Sequence, residues 1–316
     1  MTLLVQDQKV TKIEMALSFL DTLGTISLSV DDSAEVERFL LNIEELIKTV
    51  KLTESELSFV LSKIINHFIP VLIQGIKSPE FDQELLMRAL SFFSEHLAEF
   101  SLEYLEQFCI LGQKCYKISP TNKIKVGGLQ LVQLVIAKKP DYDFDAGGFA
   151  KHLIRELTAT TKCNPTLTKE IYTCLGCLCA AYPDKMQGYG TQIKTYLMNT
   201  IDRQTKSSSG STVDATILEG CFKGLDHFLA AYKFNNDHAG RRKLYDTLVK
   251  SCIHPNQKER RMYRRAAVYL FAHHCVIWEK SILEDCKHWY ITIKDWTNSF
   301  NSEVIYRQAF FNKLIK

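Results

Sequence analysis

Proline and glycine are scarce in this chain. Among its 316 residues there are only 7 prolines and 14 glycines, too few for the many tight turns that join the strands of a sandwich or a barrel. Hydrophobic residues make up 46% and charged residues 24% of the sequence, which is the ordinary balance of a folded protein. The composition therefore favours helices over sheets.

Signals for membrane insertion and for secretion are also missing. No stretch approaches the ~20 uncharged apolar residues of a membrane span, no Asn-x-Ser/Thr sequon occurs, and the N-terminus has no secretory signal. Ten cysteines are present, and Cys174, Cys177 and Cys179 lie in one apolar helical run. Cysteines used in this way behave as small core residues in a reducing compartment. We expect a cytosolic or nuclear protein without a membrane partner.

The sequence contains none of the common catalytic motifs. It has no phosphate-binding GK[ST] or GxGxxG pattern, no kinase HRD or DFG motif, no GxSxG nucleophile turn and no HExxH zinc helix. We therefore predict that the chain is not an enzyme and needs no cofactor.

Three groups of possible metal ligands lack the spacing of a metal site. Cys174 and Cys177 form a CxxC without a second pair at zinc-site spacing, which indicates core cysteines. The aspartates of residues 141–145 begin like a calcium loop, but the loop positions that need Gly and Glu hold Ala146 and His152. A solvated acidic loop is the expected alternative. The third group is predicted to be buried or half-buried helix residues: His273, His274, Cys275, Cys286 and His288.

Helix start signals recur along the chain. Asp32 is followed by Glu35, and Thr53 by Glu56, at the spacing of a capping box. Three further capping residues precede a proline that suits a first helical turn, namely those of Ser78-Pro79, Ser119-Pro120 and Asn164-Pro165. Between these signals the apolar residues follow the helical period. The β-branched run from Leu129 to Ala137 is also interpreted as a buried helix.

Together these patterns predict about fourteen helices. Their expected ranges are 8–23, 33–50, 54–76, 80–99, 102–117, 121–138, 145–161, 165–182, 186–203, 212–233, 238–253, 258–274, 279–297 and 302–315. Two helices in every ~35–47 residues match the period of armadillo and HEAT repeats. We predict an all-α fold: an armadillo/HEAT-type alpha solenoid of about seven antiparallel helix pairs, continuous over residues 1–316.

Charge is distributed unevenly along the chain. Residues 1–110 hold 8 Lys/Arg against 18 Asp/Glu, whereas residues 111–316 hold 31 against 18. An acidic half followed by a basic half indicates a partner with a charged surface.

The basic charge is most concentrated between residues 241 and 265. This segment contains nine Lys/Arg against Asp246 and Glu259, and a helical arrangement would place many of the cations on one ridge. A merely solvated helix face is the alternative interpretation. The candidate DNA-binding residues are Arg241, Arg242, Lys243, Lys258, Arg260, Arg261, Arg264 and Arg265.

Two stretches carry a family resemblance. Residues 165–187 (PTLTKEIYTCLGCLCAAYPDKMQ) and 217–229 (ILEGCFKGLDHFL) resemble segments in the N-terminal region of catalytic subunits of the DNA-dependent protein kinase. The same register fits Tyr269–His274 and the helix from Leu283 to Trp296. The resemblance runs from about Phe81 onward, while residues 1–80 share only the helical sequence pattern and the order of the helices.

This resemblance implies a role in DNA repair. It implies a nuclear HEAT-repeat arm that helps receive double-stranded DNA ends and the Ku heterodimer during non-homologous end joining. The kinase domain of such proteins lies further along the chain and is absent here, so the sequence is expected to be a fragment or truncated form that contacts the remainder of the kinase. The alternative is a protein-only adaptor or transport scaffold that binds acidic peptides.

Overall fold

A computed structural model of the chain describes residues 14–97 except 24 and 26, then 102–159, 164–206, 214–232, 237–253 and 270. Within these ranges every regular element is helical and no strand occurs. The all-α prediction is confirmed. The last three predicted helices lie outside the described residues, apart from Leu270, which is helical and buried.

The helices follow one another through short connections. The first, α1, covers residues 14–22. The next six are α2 Ser33–Thr49, α3 Glu54–Lys63, α4 Ile69–Gly75, α5 Gln83–His96, α6 Leu105–Ile118 and α7 Asn122–Lys138. The last six are α8 Ala146–Ala159, α9 Pro165–Ala181, α10 Pro183–Met186, α11 Gly190–Lys206, α12 Ala215–Ala231 and α13 His238–Ile253. The β-branched run 129–137 lies inside α7, as predicted.

Side-chain caps explain several of these starting points. The Oδ1 atom of Asp32 accepts a hydrogen bond from the Glu35 N–H at 2.9 Å, and Thr53 and Glu56 form a complete capping box. The Oδ1 atom of Asn164 accepts one from the Leu167 N–H at 3.1 Å. Each bond satisfies a donor that the first turn would otherwise leave without a partner. These three predicted starts are confirmed.

Two predicted caps were wrong, and one helix begins four residues later than expected. The helix expected from Ser78-Pro79 begins after Asp82, whose Oδ1 atom accepts the Glu84 N–H at 2.8 Å. Ser119 does not cap α7, which begins after Thr121. The helix expected over 186–203 begins only at Gly190, because Pro183 starts a separate single turn that ends at Met186. Asp82 and Pro183 are themselves helix-start signals, and they lie close to the predicted starts at residues 80 and 186.

A π-helical turn, Ile64–Phe68, joins α3 to α4 just before Pro70. Proline has no N–H, and its ring crowds the carbonyl four residues earlier, so the widened turn accommodates it. The combined helix Glu54–Gly75 is, within the described part of the chain, long and apolar enough to cross a bilayer by length and composition alone. This corrects our expectation that no such stretch exists. Its Ile64, Phe68 and Leu72 are fully buried, as in a core helix.

The chain divides into two compact units, Met1–Tyr142 and Asp143–Lys316. In the first unit α5 packs against α2 and α7, while α6 packs against α4 and α7. Packing of a helix against both its neighbour and the next helix but one is typical of helical-repeat proteins. Continuity of one solenoid over residues 1–316 stays a prediction.

Aromatic rings fill the interior of the first unit. Successive ring centroids lie 5.8, 5.1, 6.0 and 4.9 Å apart in a series that runs through Phe19, Phe39, Phe68, Phe93 and Phe108. These distances fall in the range that aromatic pairs prefer. In the same unit, Arg88 of α5 binds both carboxylate oxygens of Glu44 in α2 through its Nε and Nη2 atoms, at 3.1 and 2.8 Å. The series therefore connects α1, α2, α5 and α6 with the π-helical turn.

Glycines bring two helices of the second unit into direct backbone contact. A Cβ atom added at Gly176 of α9 would lie 2.2 Å from the carbonyl oxygen of Gly224 in α12. One added at Gly220 would lie 2.5 Å from the Cα of Lys169. Only a residue without a side chain fits at such distances. Around this crossing α8 packs on α9, and α11 packs on α12 and α13.

Candidate nucleic-acid interface

Three of the eight predicted DNA-binding residues lie on the first turns of α13. We call Arg241, Arg242 and Lys243 the basic triad. The other five candidates, Lys258, Arg260, Arg261, Arg264 and Arg265, lie outside the described residues. The structure therefore describes only the first three candidate residues of the predicted ridge.

The start of α13 is set by Asp237. Its Oδ1 atom accepts a hydrogen bond from the Gly240 N–H at 2.8 Å, and its carbonyl oxygen accepts one from the Arg241 N–H at 3.0 Å. A helix N-terminus disfavours nearby cations, and the Asp237 carboxylate offsets this effect. The Lys194 ammonium and the Gly240 N–H lower the pKa of Asp237 by hydrogen bonding to its charged form.

The members of the triad differ in their contacts. The Nε atom of Arg242 lies 3.3 Å from Oδ1 of Asp246 one turn along the helix; Arg242 is exposed and Asp246 is half-buried. The Nζ atom of Lys243 donates a hydrogen bond to Oδ1 of Asn199 in α11 at 3.1 Å. Arg241 is half-buried. Because exposed ion pairs contribute only about 0.2–1 kcal/mol, Arg242 can exchange Asp246 for a phosphate at little cost.

The Lys243–Asn199 contact connects the triad to an exposed stripe on α11. Thr191, Thr195, Asn199 and Arg203 are all exposed and repeat every four residues, which puts them on one side of the helix. Hydroxyl, amide and guanidinium groups are those that proteins direct at phosphate oxygens. We name the triad and this stripe together the α11–α13 surface. Sequence reasoning missed the stripe because it contains only one charge.

A second basic cluster, also missed, lies where α6 ends and α7 begins. Residues 111–142 contain six lysines against one aspartate, and that local balance could have revealed it. Four of these lysines flank the turn between the two antiparallel helices: Lys114, Lys117, Lys123 and Lys125. The first turn of α7 has no acidic residue. We call this cluster the lysine end; it belongs to the first unit, whereas the α11–α13 surface belongs to the second.

The three cysteines of α9 are core residues, as predicted. Cys174 and Cys179 are buried, Cys177 is half-buried, and all three are free thiols. Burial raises the pKa of Cys177 and of Cys179 to about 12, so neither forms the thiolate that a nucleophile or metal ligand needs.

The acidic loop before α8 has structural contacts. The Lys185 ammonium donates a hydrogen bond to Oδ1 of Asp143 at 2.6 Å and lowers the pKa of that carboxyl group. Asp145 caps α8 by accepting the Gly148 N–H at 2.8 Å. No group of three or more potential ligands that could hold a metal ion occurs among the described residues. The His273–His288 group lies outside them.

Comparison with known proteins gives one family and one curated relative. Residues 83–310, from α5 through α13 and beyond, match the family model described as DNA-PKcs, N-terminal. The DNA-dependent protein kinase catalytic subunit of Dictyostelium discoideum is 26% identical over 144 residues. That alignment covers 44% of this chain but only 3% of the relative. Both basic clusters lie within the span of the family match.

Proposed function

This chain belongs to the family of DNA-PKcs N-terminal regions, and we propose on that premise that it is a helical arm for double-strand break repair. In this role it contacts double-stranded DNA ends and the Ku heterodimer during non-homologous end joining, in the nucleus. The family match concerns a non-kinase region of the catalytic subunit, and the sequence contains no catalytic motif. The chain therefore acts by binding.

The observation that carries the DNA contact is the α11–α13 surface. It presents the exposed cations Arg242, Lys243 and Arg203 beside the hydroxyl and amide groups of α11. Such groups position a protein on the sugar–phosphate backbone without recognising base sequence. A protein that receives any broken end needs this kind of contact. The lysine end offers a further cationic surface of the same chemistry.

Protein contacts are the second part of the proposal. The first 110 residues have ten more acidic than basic side chains, 18 against 8, and a surface of this sign repels phosphates. We therefore assign the contacts with Ku and with the remainder of the kinase chain to the acidic half. The family membership, rather than any feature of the acidic surface, identifies these two partners.

The DNA contact is tested by the salt dependence of binding. Fluorescence anisotropy with a labelled blunt duplex gives the slope of log K against log salt concentration, to which each phosphate contact contributes about −0.9. Changing Arg242 and Lys243 together to Gln should flatten the slope by about 1.8. Changing Arg260, Arg261, Arg264 and Arg265 to Gln should flatten it by about 3.6.

The matched control removes two lysines from the acidic half. Lys48 and Lys51 are exposed, and their change to Gln alters the net charge by the same amount as the change of Arg242 and Lys243. We expect this control to keep the wild-type slope. If all variants share the wild-type slope, the α11–α13 surface and the basic ridge do not bind DNA. Tight binding of an acidic peptide instead of DNA would support the adaptor function.

A further inference from the structure

Lys194 of α11 is a buried cation beside the α11–α13 surface. Only 8% of the residue is exposed, although lysine is almost never buried unless its charge is paired. Its ammonium group forms an ion pair with Oδ2 of Asp237. It also lies 5.6 Å from the centre of the Tyr232 ring, within the distance of a cation–π interaction.

These contacts connect three helices through one side chain. Tyr232 directly follows α12, and its ring stacks on Phe228 at a centroid distance of 4.9 Å. Asp237 precedes α13, and its second carboxylate oxygen accepts the Gly240 N–H. Lys194 on α11 therefore contacts the residue that follows α12 and the residue that caps the first turn of α13.

The contacts between α13 and α11 differ in strength. The Lys243–Asn199 hydrogen bond is exposed, and water competes with contacts of that kind. The Lys194–Asp237 pair is screened much less, because the lysine side chain is only 11% exposed. Loss of Asp237 would leave the buried charge of Lys194 without its counter-ion, which is far more costly than loss of a surface contact.

We propose that Lys194, through its ion pair with Asp237, positions the first turn of α13 so that Arg242 and Lys243 contact DNA phosphates together with Asn199 and Arg203. Lys194 itself does not touch the DNA. This inference rests on the proposed function, since it concerns how the α11–α13 surface is assembled.

The test uses the full chain and the same labelled duplex. Lys194→Met keeps most of the apolar stem and removes the charge, and it should flatten the salt slope by about 1.8, as the change of Arg242 and Lys243 does. Lys194→Arg should restore the wild-type slope. Lys223→Met is the matched control, because Lys223 is an exposed lysine of α12 that pairs with Glu219; it should keep the wild-type slope.

Combining Lys194→Met with the Arg242/Lys243 variant distinguishes a positioning role from a general loss of charge. Adding Lys194→Met to the Arg242/Lys243 variant should cause no further flattening, because the residues that it positions are already gone. If Lys194→Met does not fold by circular dichroism, Asp237→Asn replaces it. Asparagine still caps a helix but lacks the charge that pairs with Lys194, so the same loss of slope is expected.

Two failures are distinguishable. If the Arg242/Lys243 variant has the wild-type slope, the proposed DNA contact at this surface is wrong, and the positioning role falls with it. If that variant has a flatter salt slope but Lys194→Met and Asp237→Asn keep the wild-type slope, the DNA contact stands and the positioning role of Lys194 is refuted.

Discussion

The interior of the first unit is filled by aromatic rings, whereas in the second unit helix backbones touch. Five phenylalanines, from Phe19 to Phe108, form a series with ring centroids 4.9–6.0 Å apart. In the second unit the space for a Cβ atom at Gly176 is already occupied by the carbonyl group of Gly224. The ring series of the first unit thus depends on the volume of its side chains, and the α9–α12 crossing of the second unit depends on their absence.

The ring series and the α9–α12 crossing should respond to opposite kinds of substitution. Removing atoms from the ring series leaves a cavity that its neighbours cannot fill. Adding atoms at the glycine crossing pushes two helices apart. The first unit also contains a glycine crossing, where Cβ atoms added at Gly112 and Gly128 would each lie 2.6 Å from the carbonyl oxygen of the other glycine. It lies beyond the last ring of the series, on α6 and α7.

The largest effect is expected from Phe68→Ala. Phe68 is fully buried between Phe39 and Phe93, and truncation of a buried phenylalanine costs about 3–5 kcal/mol. Hydrogen exchange followed by mass spectrometry should show faster exchange in α2–α6 and little change in α9 and α12. Phe59→Ala is the control, because Phe59 is 41% exposed and surface substitutions stay within about 0.5 kcal/mol.

The next largest effect is expected from Gly176→Ala. An alanine raises helix propensity by up to ~1 kcal/mol, but its Cβ atom would lie 2.2 Å from the Gly224 oxygen. Overpacking typically costs about 1–3 kcal/mol, so we expect a net loss of stability confined to the second unit. Gly188→Ala is the control, since nothing lies within 4 Å of a Cβ atom there. A Gly176→Ala protein as stable as the wild type would contradict the crossing.

Loss of a helix cap should have a smaller effect. Asn164→Ala removes the acceptor for the Leu167 N–H and should destabilise α9 by about 1 kcal/mol. Thr121→Ala is its counterpart in the first unit, and it should be nearly neutral because Thr121 makes no side-chain cap bond to α7. Exchange rates in the first turn of each helix measure both effects. If Asn164→Ala and Thr121→Ala destabilise their helices equally, the side-chain cap bond does not determine the loss of stability.

Much of the fold could be predicted because its signals are local. The caps at Asp32, Thr53 and Asn164 are complete within four residues, so the sequence alone is sufficient to recognise them. The glycine crossing could not be predicted, because two helices, α10 and α11, separate Gly176 from Gly224 in the sequence. The sequence showed only that these glycines belong to no phosphate-binding motif. The start of α11 was predicted at residue 186 instead of Gly190, because the separate turn from Pro183 to Met186 was not recognised.

For the candidate site, too, the local features could be predicted and the long-range contacts could not. A run of cations identified Arg241, Arg242 and Lys243, since charge density is visible in the sequence. The Lys194–Asp237 pair and the Lys243–Asn199 contact join residues 43 and 44 positions apart. No local pattern reveals such contacts, and they determine which cations are held in place and which remain exposed.

The smallest expected effect concerns thiol labelling of the native chain, and it allows the two units to be compared directly. Burial raises the pKa of Cys109 to about 11 and that of Cys115 and Cys179 to about 12. At pH 8 about one thiol in a thousand or fewer is then a thiolate, the form that reacts with iodoacetamide. We expect no detectable labelling of these cysteines until the unit that contains them opens.

The sign of the pH dependence follows from the same shifts. Burial favours the neutral thiol, so its contribution to stability is complete below the ordinary thiol pKa of about 8.5 and is lost as the pH rises towards 11–12. At pH 8 labelling should therefore report opening rather than titration. Phe68→Ala should accelerate labelling of Cys109 and Cys115 alone, and Gly176→Ala that of Cys174 and Cys179 alone, as resolved by peptide mass spectrometry. If either variant accelerates all four cysteines together, the two units open as one, and the difference between their interiors has no consequence for their stability.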